Sequence, residues 1–166
     1  LPTDPTFYRP TALLTERGWL GQKTGRGYYR YDGADRKRTS DPEAIAMFAE
    51  EAQRLGVPQR KPSKQEIQER CIYAMINEGA LLLEEGIAQR ASDIDMVYLT
   101  GYGFPLHRGG PMLYADQQGL FNVVQAMKRF ATNPHDDASF WQPAPLLEKL
   151  ARAGSSFAQW QAERKV

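Results

Sequence analysis

The residues of this 166-residue chain that are best suited to chemistry are charged side chains in glycine-rich turns. In the segment GQKTGRG, residues 21–27, glycines expose backbone N–H groups, while Lys23 and Arg26 supply positive charge that attracts phosphate. The segment does not match the G-x-x-x-x-G-K-[ST] pattern of a Walker loop, and it runs into Tyr28 rather than into a helix. This spacing favours a structural turn over a phosphate site.

Histidine and cysteine are too few for a conventional metal centre. The sequence has two histidines, His107 and His135, and one cysteine, Cys71, so a closed four-ligand zinc site is not expected. His107 lies in a turn without an adjacent carboxylate or nucleophile, which favours a solvent-facing side chain over a catalytic base. No metal site is therefore predicted.

The segment GYG at residues 101–103 carries two glycines of the kind found in dinucleotide-binding turns. Neither a preceding strand nor a third glycine at the required spacing accompanies them. We therefore expect no cofactor to be bound by this chain alone.

Two acidic pairs, Glu84 with Glu85 and Asp93 with Asp95, are candidates for a general acid and base. Both pairs fall at predicted helix ends. The aspartates lie in a first turn, where negative charge favours the helix dipole, and Asp95 forms a capping box with Ser92. Helix-terminal roles are therefore the simpler prediction for these side chains.

Glu78 has the most unusual predicted position of any carboxylate. On the longest predicted helix it projects between Ile67 and Cys71, on the face that the spacing indicates to be apolar. A buried carboxylate costs several kcal/mol unless it is paired or well hydrogen-bonded. We therefore predict that Glu78, together with Arg108, braces the glycine-rich turn at 101–110 in preference to a catalytic role.

Helices position these residues. Capping side chains at Ser40 or Asp41 and at Ser63 begin two of them, and Gly56 and Gly86 end the same two. Helices are predicted over residues 12–17, 41–55, 63–86, 92–100, 111–118, 120–131 and 144–153, followed by a last turn from Ser155 or Ser156. Because no segment alternates with period two over a useful length, the predicted fold class is all-α.

The composition excludes several kinds of partner. Lys and Arg number 21 against 20 Asp and Glu, a net charge of +1, so no global field attracts nucleic acid or an anionic membrane. The basic runs at 36–38 and 60–61 are expected to be solvated linker charge. No apolar run approaches the roughly 20 residues of a membrane span, and the N-terminus lacks the form of a signal peptide. The single cysteine suits a reducing compartment.

Three segments differ in character along the chain. Residues 1–31 are rich in turns and end in an aromatic patch at 28–31, residues 32–61 form a polar linker with one helix, and residues 62–166 carry the remaining helices. The chain begins at Leu1 without a methionine and in a proline-rich run. We therefore expect it to be a piece of a longer protein.

A series of short motifs runs in order through the second half of the chain. They are ER at 69–70, NEG at 77–79, LEEG at 83–86, SDID at 92–95, GYGFP at 101–105, RGGP at 108–111, AD at 115–116, FW at 140–141 and PLL at 145–147. Together they resemble the C-terminal helical domain of the L-3-hydroxyacyl-CoA dehydrogenases, most closely its second copy in multifunctional fatty-acid β-oxidation proteins. On this resemblance the second copy covers about 62–166, and residues 1–31 are the tail of the first copy.

The resemblance implies a helical bundle like the C-terminal domain of 6-phosphogluconate dehydrogenase. For a parent protein it implies NAD bound by an upstream Rossmann domain with a catalytic His-Glu pair, often preceded by an enoyl-CoA hydratase domain, and an acyl-CoA substrate. Those upstream domains are then partners of this chain, and a homodimer or a thiolase subunit is a further partner. The implied location is the cytoplasm of a bacterium, or the peroxisome or mitochondrion of a eukaryote.

The family's first copy also supplies, on its long helix, an Asn directly before an Arg that helps to position substrate. Aligning Arg70 with that Arg places Glu69 at the Asn position, so no catalytic residue is expected here. The predicted function is the C-terminal helical part of a multifunctional 3-hydroxyacyl-CoA dehydrogenase, inactive alone, that supports the active-site cleft and domain or subunit packing. The alternative is a stand-alone helical interaction module that uses the aromatic patch at 28–31 and the basic linker.

Overall fold

The computed structural model describes residues 8–33, 35–134 and 136–164. The chain divides into two compact units, Leu1–Lys61 and Pro62–Val166. The proline-rich run before Tyr8 and the loop histidine His135 lie outside the described residues.

Within those residues the chain forms eight α-helices and a single two-stranded sheet, so the all-α prediction is confirmed except for one hairpin. The first unit contains α1 (Arg9–Glu16), β1 (Tyr29–Asp32), β2 (Lys37–Ser40) and α2 (Pro42–Arg54). The second unit contains α3 (Lys64–Glu84), α4 (Ala91–Gly101), α5 (Pro111–Gln118), α6 (Leu120–Ala131), α7 (Pro145–Ala153) and α8 (Phe157–Glu163).

The hairpin lies where the turn-rich segment 1–31 meets the polar linker 32–61, and no strand was predicted there. Strands β1 and β2 pair antiparallel, with Tyr31 opposite Arg38. Gly33 and Arg36 take positive φ angles of 77° and 49° where the chain turns between the strands. Since most of the strand side chains are exposed, neither face needs apolar residues, and the period-two pattern that would have predicted strands is missing.

The first unit has a small core between its two helices. Leu13 and Leu14 of α1 pack with Met47 of α2, and Trp19 and Phe48 lie partly buried against them. So few buried side chains supply little hydrophobic stabilisation, which leaves a larger share to polar contacts.

Helix α3 is the centre of the second unit. It has 21 residues and begins after Ser63, whose hydroxyl accepts the backbone N–H of Glu66, as the capping pattern predicts. It packs against α4, α5, α6 and α7. The buried hydrophobic side of α3 consists of Tyr73, Ile76, Ala80 and Leu83. The completely buried side chains around it include Met112, Val123, Met127, Leu147 and Phe157.

Candidate functional site

The glycine-rich turn at 101–110 leads into α5, and Asp95 of α4 holds the start of that helix. Its Oδ1 accepts the backbone N–H of Met112 at 2.7 Å, and its Oδ2 accepts that of Leu113 at 3.1 Å. Asp95 is 8 % exposed, and burial raises the pKa of its carboxyl, although the two backbone N–H groups act in the opposite direction. The carboxylate thus pairs two N–H groups that a helix start otherwise leaves unpaired.

Gly110 allows the backbone to come this close to Asp95. Its φ angle is 105°, and a Cβ atom added there would overlap the Asp95 side chain, 2.5 Å from its Cγ. The predicted capping box of Ser92 with Asp95 is wrong, because α4 starts at Ala91 without a side-chain cap of its own. Asp95 lies one turn further into α4 and caps the neighbouring helix instead.

Glu78 does not occupy the buried position predicted for it. Its side chain is exposed, and so are Ile67 and Cys71, between which it was predicted to project. At about 100° per residue, Glu78 lies about 180° from the middle of the arc formed by the buried Tyr73, Ile76, Ala80 and Leu83. The prediction of a buried Glu78 is therefore wrong, and the carboxylate that holds the end of the turn is Asp95.

His107 and Arg108 lie in a short 3-10 turn, Leu106–Arg108, and both side chains are exposed. The guanidinium carbon of Arg108 is 5.6 Å from the ring centre of Tyr114 on α5. Arg108 therefore contributes a cation–π contact between the turn and α5.

Asn77, the neighbour of Glu78, holds the start of α7 and was not predicted to be structural. Its Oδ1 accepts the backbone N–H of Ala144 at 2.7 Å, and its Nδ2 donates to the carbonyl oxygen of Gln142 at 3.0 Å. The residue is 9 % exposed. Asn77 is four residues after Tyr73 and three before Ala80, on the buried side of α3, and the sequence does not distinguish that side from the exposed one.

Glu69 stands where the family resemblance expects Asn, and both of its carboxylate oxygens are bonded. Gln65 donates to Oε1 at 2.7 Å, and Arg129 of α6 donates to Oε2 at 2.8 Å. The Glu69 side chain is 14 % exposed. The adjacent Arg70 forms an ion pair with Asp136 at 2.9 Å. This end of α3 is thus tied to α6 and to the loop that follows it.

In the first unit, Arg26 is committed to the fold. Its guanidinium donates to both oxygens of Asp41, at 2.5 and 3.0 Å, and lies 3.7 Å from the ring centre of Trp19. Asp41 is completely buried, and the hydrogen bonds from Arg26 hold the pKa of its carboxyl well below its usual range. Lys23, the other cation considered for a phosphate site in this turn, is exposed.

The loop around Lys23 uses its own backbone N–H groups. Gly21 donates to the carbonyl oxygen of Arg26 at 2.8 Å, and Arg26 donates back to Gly21 at 3.1 Å. Gly27 donates to the carbonyl oxygen of Tyr29 at 2.9 Å. These N–H groups serve the turn itself, as the spacing of the glycines predicted.

The aromatic patch at 28–31 is partly used inside the first unit. The hydroxyl of Tyr28 is hydrogen-bonded to that of Thr11 at 3.1 Å, and its ring centre lies 5.5 Å from that of Phe48. Tyr28 nevertheless remains 50 % exposed and Tyr29 42 % exposed. Tyr28 therefore has a packing role, in addition to any surface role.

The residues that the structure describes include one sheet, and it is not part of a dinucleotide-binding βαβ unit. Their sheet is a two-stranded antiparallel hairpin, so residues 8–33, 35–134 and 136–164 contain no βαβ unit of the kind that binds NAD. Among the same residues, no group of three or more His, Cys, Asp and Glu side chains is placed to hold a metal ion. Nor is any helix in this part of the chain long and apolar enough to cross a membrane.

By its fold, the second unit is an all-α domain built around one long central helix. The chain belongs to the family of the 3-hydroxyacyl-CoA dehydrogenase C-terminal domain, whose model matches residues 67–159. The match begins in α3 and ends in α8. The resemblance stated from the motifs is therefore confirmed.

Curated relatives agree with this assignment. The chain is 42 % identical over 144 residues to a peroxisomal bifunctional enzyme of Danio rerio, a match that covers 86 % of this chain and 20 % of the relative. It is 40 % identical over 153 residues to the peroxisomal bifunctional enzyme of Homo sapiens, with 90 % and 21 % covered. A peroxisomal fatty acid beta-oxidation multifunctional protein of Arabidopsis thaliana is 31 % identical over 166 residues, with 97 % and 22 % covered. The chain thus spans about a fifth of the length of these relatives.

Proposed function

We propose that this chain is the C-terminal helical part of a multifunctional 3-hydroxyacyl-CoA dehydrogenase of fatty-acid β-oxidation. Residues 62–166 are the second copy of the helical domain, residues 1–31 are the tail of the first copy, and 32–61 connect them. The relatives support this, since enzymes named bifunctional or multifunctional match 86 % or more of the chain. The chain does not catalyse the reaction alone; it supports the active-site cleft and packs against other domains or subunits.

The bonding of Glu69 is the observation that carries the non-catalytic role. An Asn at this position offers an N–H donor as well as an acceptor, whereas an ionised carboxylate only accepts. One oxygen of Glu69 accepts a hydrogen bond from Gln65 on the same helix, and the other accepts one from Arg129 of α6. The side chain therefore serves the pairing of α3 with α6. A substrate-positioning amide has been replaced by a structural ion pair.

A packing role is supported by apolar side chains that are exposed between α4 and the start of α5. These are Met96, Val97, Tyr102, Leu106 and Leu113, which are between 44 % and 79 % exposed. Exposed apolar side chains grouped in one segment mark surfaces that other protein domains cover. In the proposed parent, a helical domain of the same protein covers this segment.

The rest of the reaction is assigned to other parts of the parent. An upstream Rossmann domain binds NAD and oxidises the 3-hydroxyl carbon of the acyl-CoA, and an enoyl-CoA hydratase domain precedes it. These domains are the partners of this chain, with a second copy of the parent or a thiolase subunit as further partners. If the source is a eukaryote, the proposed location is the peroxisome, as in the names of the relatives. If the source is a bacterium, the proposed location is the cytoplasm.

Calorimetric titration of the chain with NADH tests this division of labour. We expect no saturable binding, because the described residues contain no βαβ unit. Saturable NADH binding would place a dinucleotide site within the chain and contradict the proposal.

Of Lys23 and Arg26, the two cations of this turn, Lys23 is the one proposed to contact the phosphates of the CoA nucleotide, because Arg26 is bonded to Asp41. A lysine ammonium acts on phosphate as a point charge. Titration with CoA should give heat of binding that the Lys23→Ala variant loses and the Lys149→Ala variant keeps, since Lys149 is an exposed lysine of the second unit. No CoA binding, or unchanged binding by Lys23→Ala, would end this part of the proposal.

A further inference from the structure

Each of the helices α4, α5 and α8 carries a side chain that accepts backbone N–H groups at the start of another of the three. Asp95 of α4 accepts the first N–H groups of α5, as described above. Asp116 of α5 in turn accepts the backbone N–H groups of Phe157 and Ala158 at the start of α8, at 2.8 and 3.0 Å. Each of the two carboxylates therefore caps the helix that its own helix packs against.

Gln161 closes this chain of contacts into a ring. It lies on α8, and its Oε1 accepts the backbone N–H of Ala91, the first residue of α4, at 3.0 Å. Helix α4 thus caps α5, α5 caps α8, and α8 caps α4. The three helices also pack against one another in pairs.

Three of the five capped N–H groups belong to residues of the core, whereas Leu113 and Ala158 are exposed. Ala91 is 8 % exposed, and Met112 and Phe157 are 0 % exposed. Helices α4 and α5 have no side-chain cap of their own, so these contacts stand in for local caps there, whereas α8 also has a capping box formed by Ser156 and Gln159. A buried N–H that loses its acceptor carries the full cost of desolvation, and its helix start then favours an open state.

We propose that α4, α5 and α8 form a three-helix clasp that opens and closes as one unit, so that breaking one link releases the other two. The reason is geometric: the helix that loses its cap carries the side chain that caps the next helix. Three independent caps, in contrast, would each protect only their own helix. This inference does not depend on the proposed function of the chain.

Native-state hydrogen exchange of the whole chain, followed by NMR, tests the clasp. The Gln161→Leu variant removes the acceptor of the Ala91 N–H, and the Gln161→Glu variant keeps an acceptor at the same place. In Gln161→Leu, the amides of Met112 and Phe157 should exchange about tenfold faster, although neither is bonded to Gln161. The Ala144 amide, which Asn77 holds outside the ring, should stay within about twofold of its original rate.

In the Gln161→Glu variant, the amides of Met112 and Phe157 should exchange as slowly as in the wild-type chain. If Gln161→Leu accelerates only Ala91, or accelerates Ala144 as much as the ring amides, the clasp does not exist. The wild-type chain provides a test that needs no variant. In low denaturant the amides of Ala91, Met112 and Phe157 should share one opening free energy and one denaturant dependence that Ala144 does not share. Three different values, or one value common to all four amides, would overturn the inference.

Discussion

Replacing Gly110 by alanine tests how closely Asp95 is held against the start of α5. The added Cβ would overlap the Oδ1, Cβ and Cγ atoms of Asp95. Because the overlap includes the Cβ of Asp95 as well as its carboxylate, rotation of that side chain does not relieve it. The backbone of α4 must move away from the turn, and Asp95 then loses its bonds to Met112 and Leu113.

The expected loss of stability has two parts. An alanine held at a φ angle of 105° costs about 1–3 kcal/mol. The two N–H groups that lose Asp95 add about 1–3 kcal/mol each where they stay buried. Partial relaxation reduces the sum, so we expect Gly110→Ala to lower the free energy of unfolding of the second unit by about 3–6 kcal/mol.

Gly154→Ala is the matched control for the backbone part. Gly154 also has a positive φ angle, 62°, and lies in the same unit, but nothing lies within 4 Å of an added Cβ. It should therefore cost only about 1–2 kcal/mol. Urea unfolding followed by circular dichroism and by the fluorescence of the buried Trp141 measures both variants. If Gly110→Ala is no more destabilising than Gly154→Ala, the close approach of Asp95 to Gly110 is incorrect.

Two predictions concern the charges of the core. Asp41→Asn should lower the denaturation midpoint of the first unit and leave that of the second unit unchanged, because it removes the buried charged partner of Arg26. The control variant Glu50→Gln, at an exposed site on α2, should change neither midpoint. Protection factors from hydrogen exchange at pH 5 to pH 3, corrected for the intrinsic exchange rate at each pH, should show the first unit losing stability as the pH falls below about 4. The pKa of Asp41 is lowered in the folded state from 3.8, so its contribution is complete above that value and is lost as the pH falls towards the folded pKa. Burial raises the pKa values of Asp95 and Asp116 in the folded second unit. The contribution of these shifts to the stability of that unit is therefore present at low pH and is lost as the pH rises through the folded pKa. First-unit protection factors that are no lower at pH 3 than at pH 5, after correction for the intrinsic exchange rate at each pH, would contradict this sign.

Helix positions could be predicted because their signals are local. The apolar spacing gave 120–131 for α6, and the structure has Leu120–Ala131. Ser63 and Asp41 cap α3 and α2 through N–H groups two or three residues away, so the capping residues are visible in the sequence. The motifs of the second half also indicated the family, whose model matches residues 67–159.

The contacts between helices could not be predicted, because their partners are distant in sequence. Asn77 bonds to residues 65 and 67 positions away, and Gln161 reaches an N–H group 70 positions away. Asp95 looked like a local cap because its spacing to Ser92 fits a capping box, yet its acceptor oxygens face another helix. Glu78 was misplaced for a related reason. The exposed Ile67 and Cys71 formed as good a helical stripe as the buried residues did, and only packing distinguishes the two faces.

The central claim is that this chain supports a dehydrogenase reaction and does not perform it. An NADH-linked turnover assay with acetoacetyl-CoA, applied to the wild-type chain and to Glu69→Asn, tests it most directly. We predict that both consume NADH no faster than a control without protein, since introducing the Asn supplies neither a dinucleotide fold nor the catalytic pair of the proposed upstream domain. NADH consumption above the control that increases in proportion to the concentration of the wild-type chain would contradict the claim.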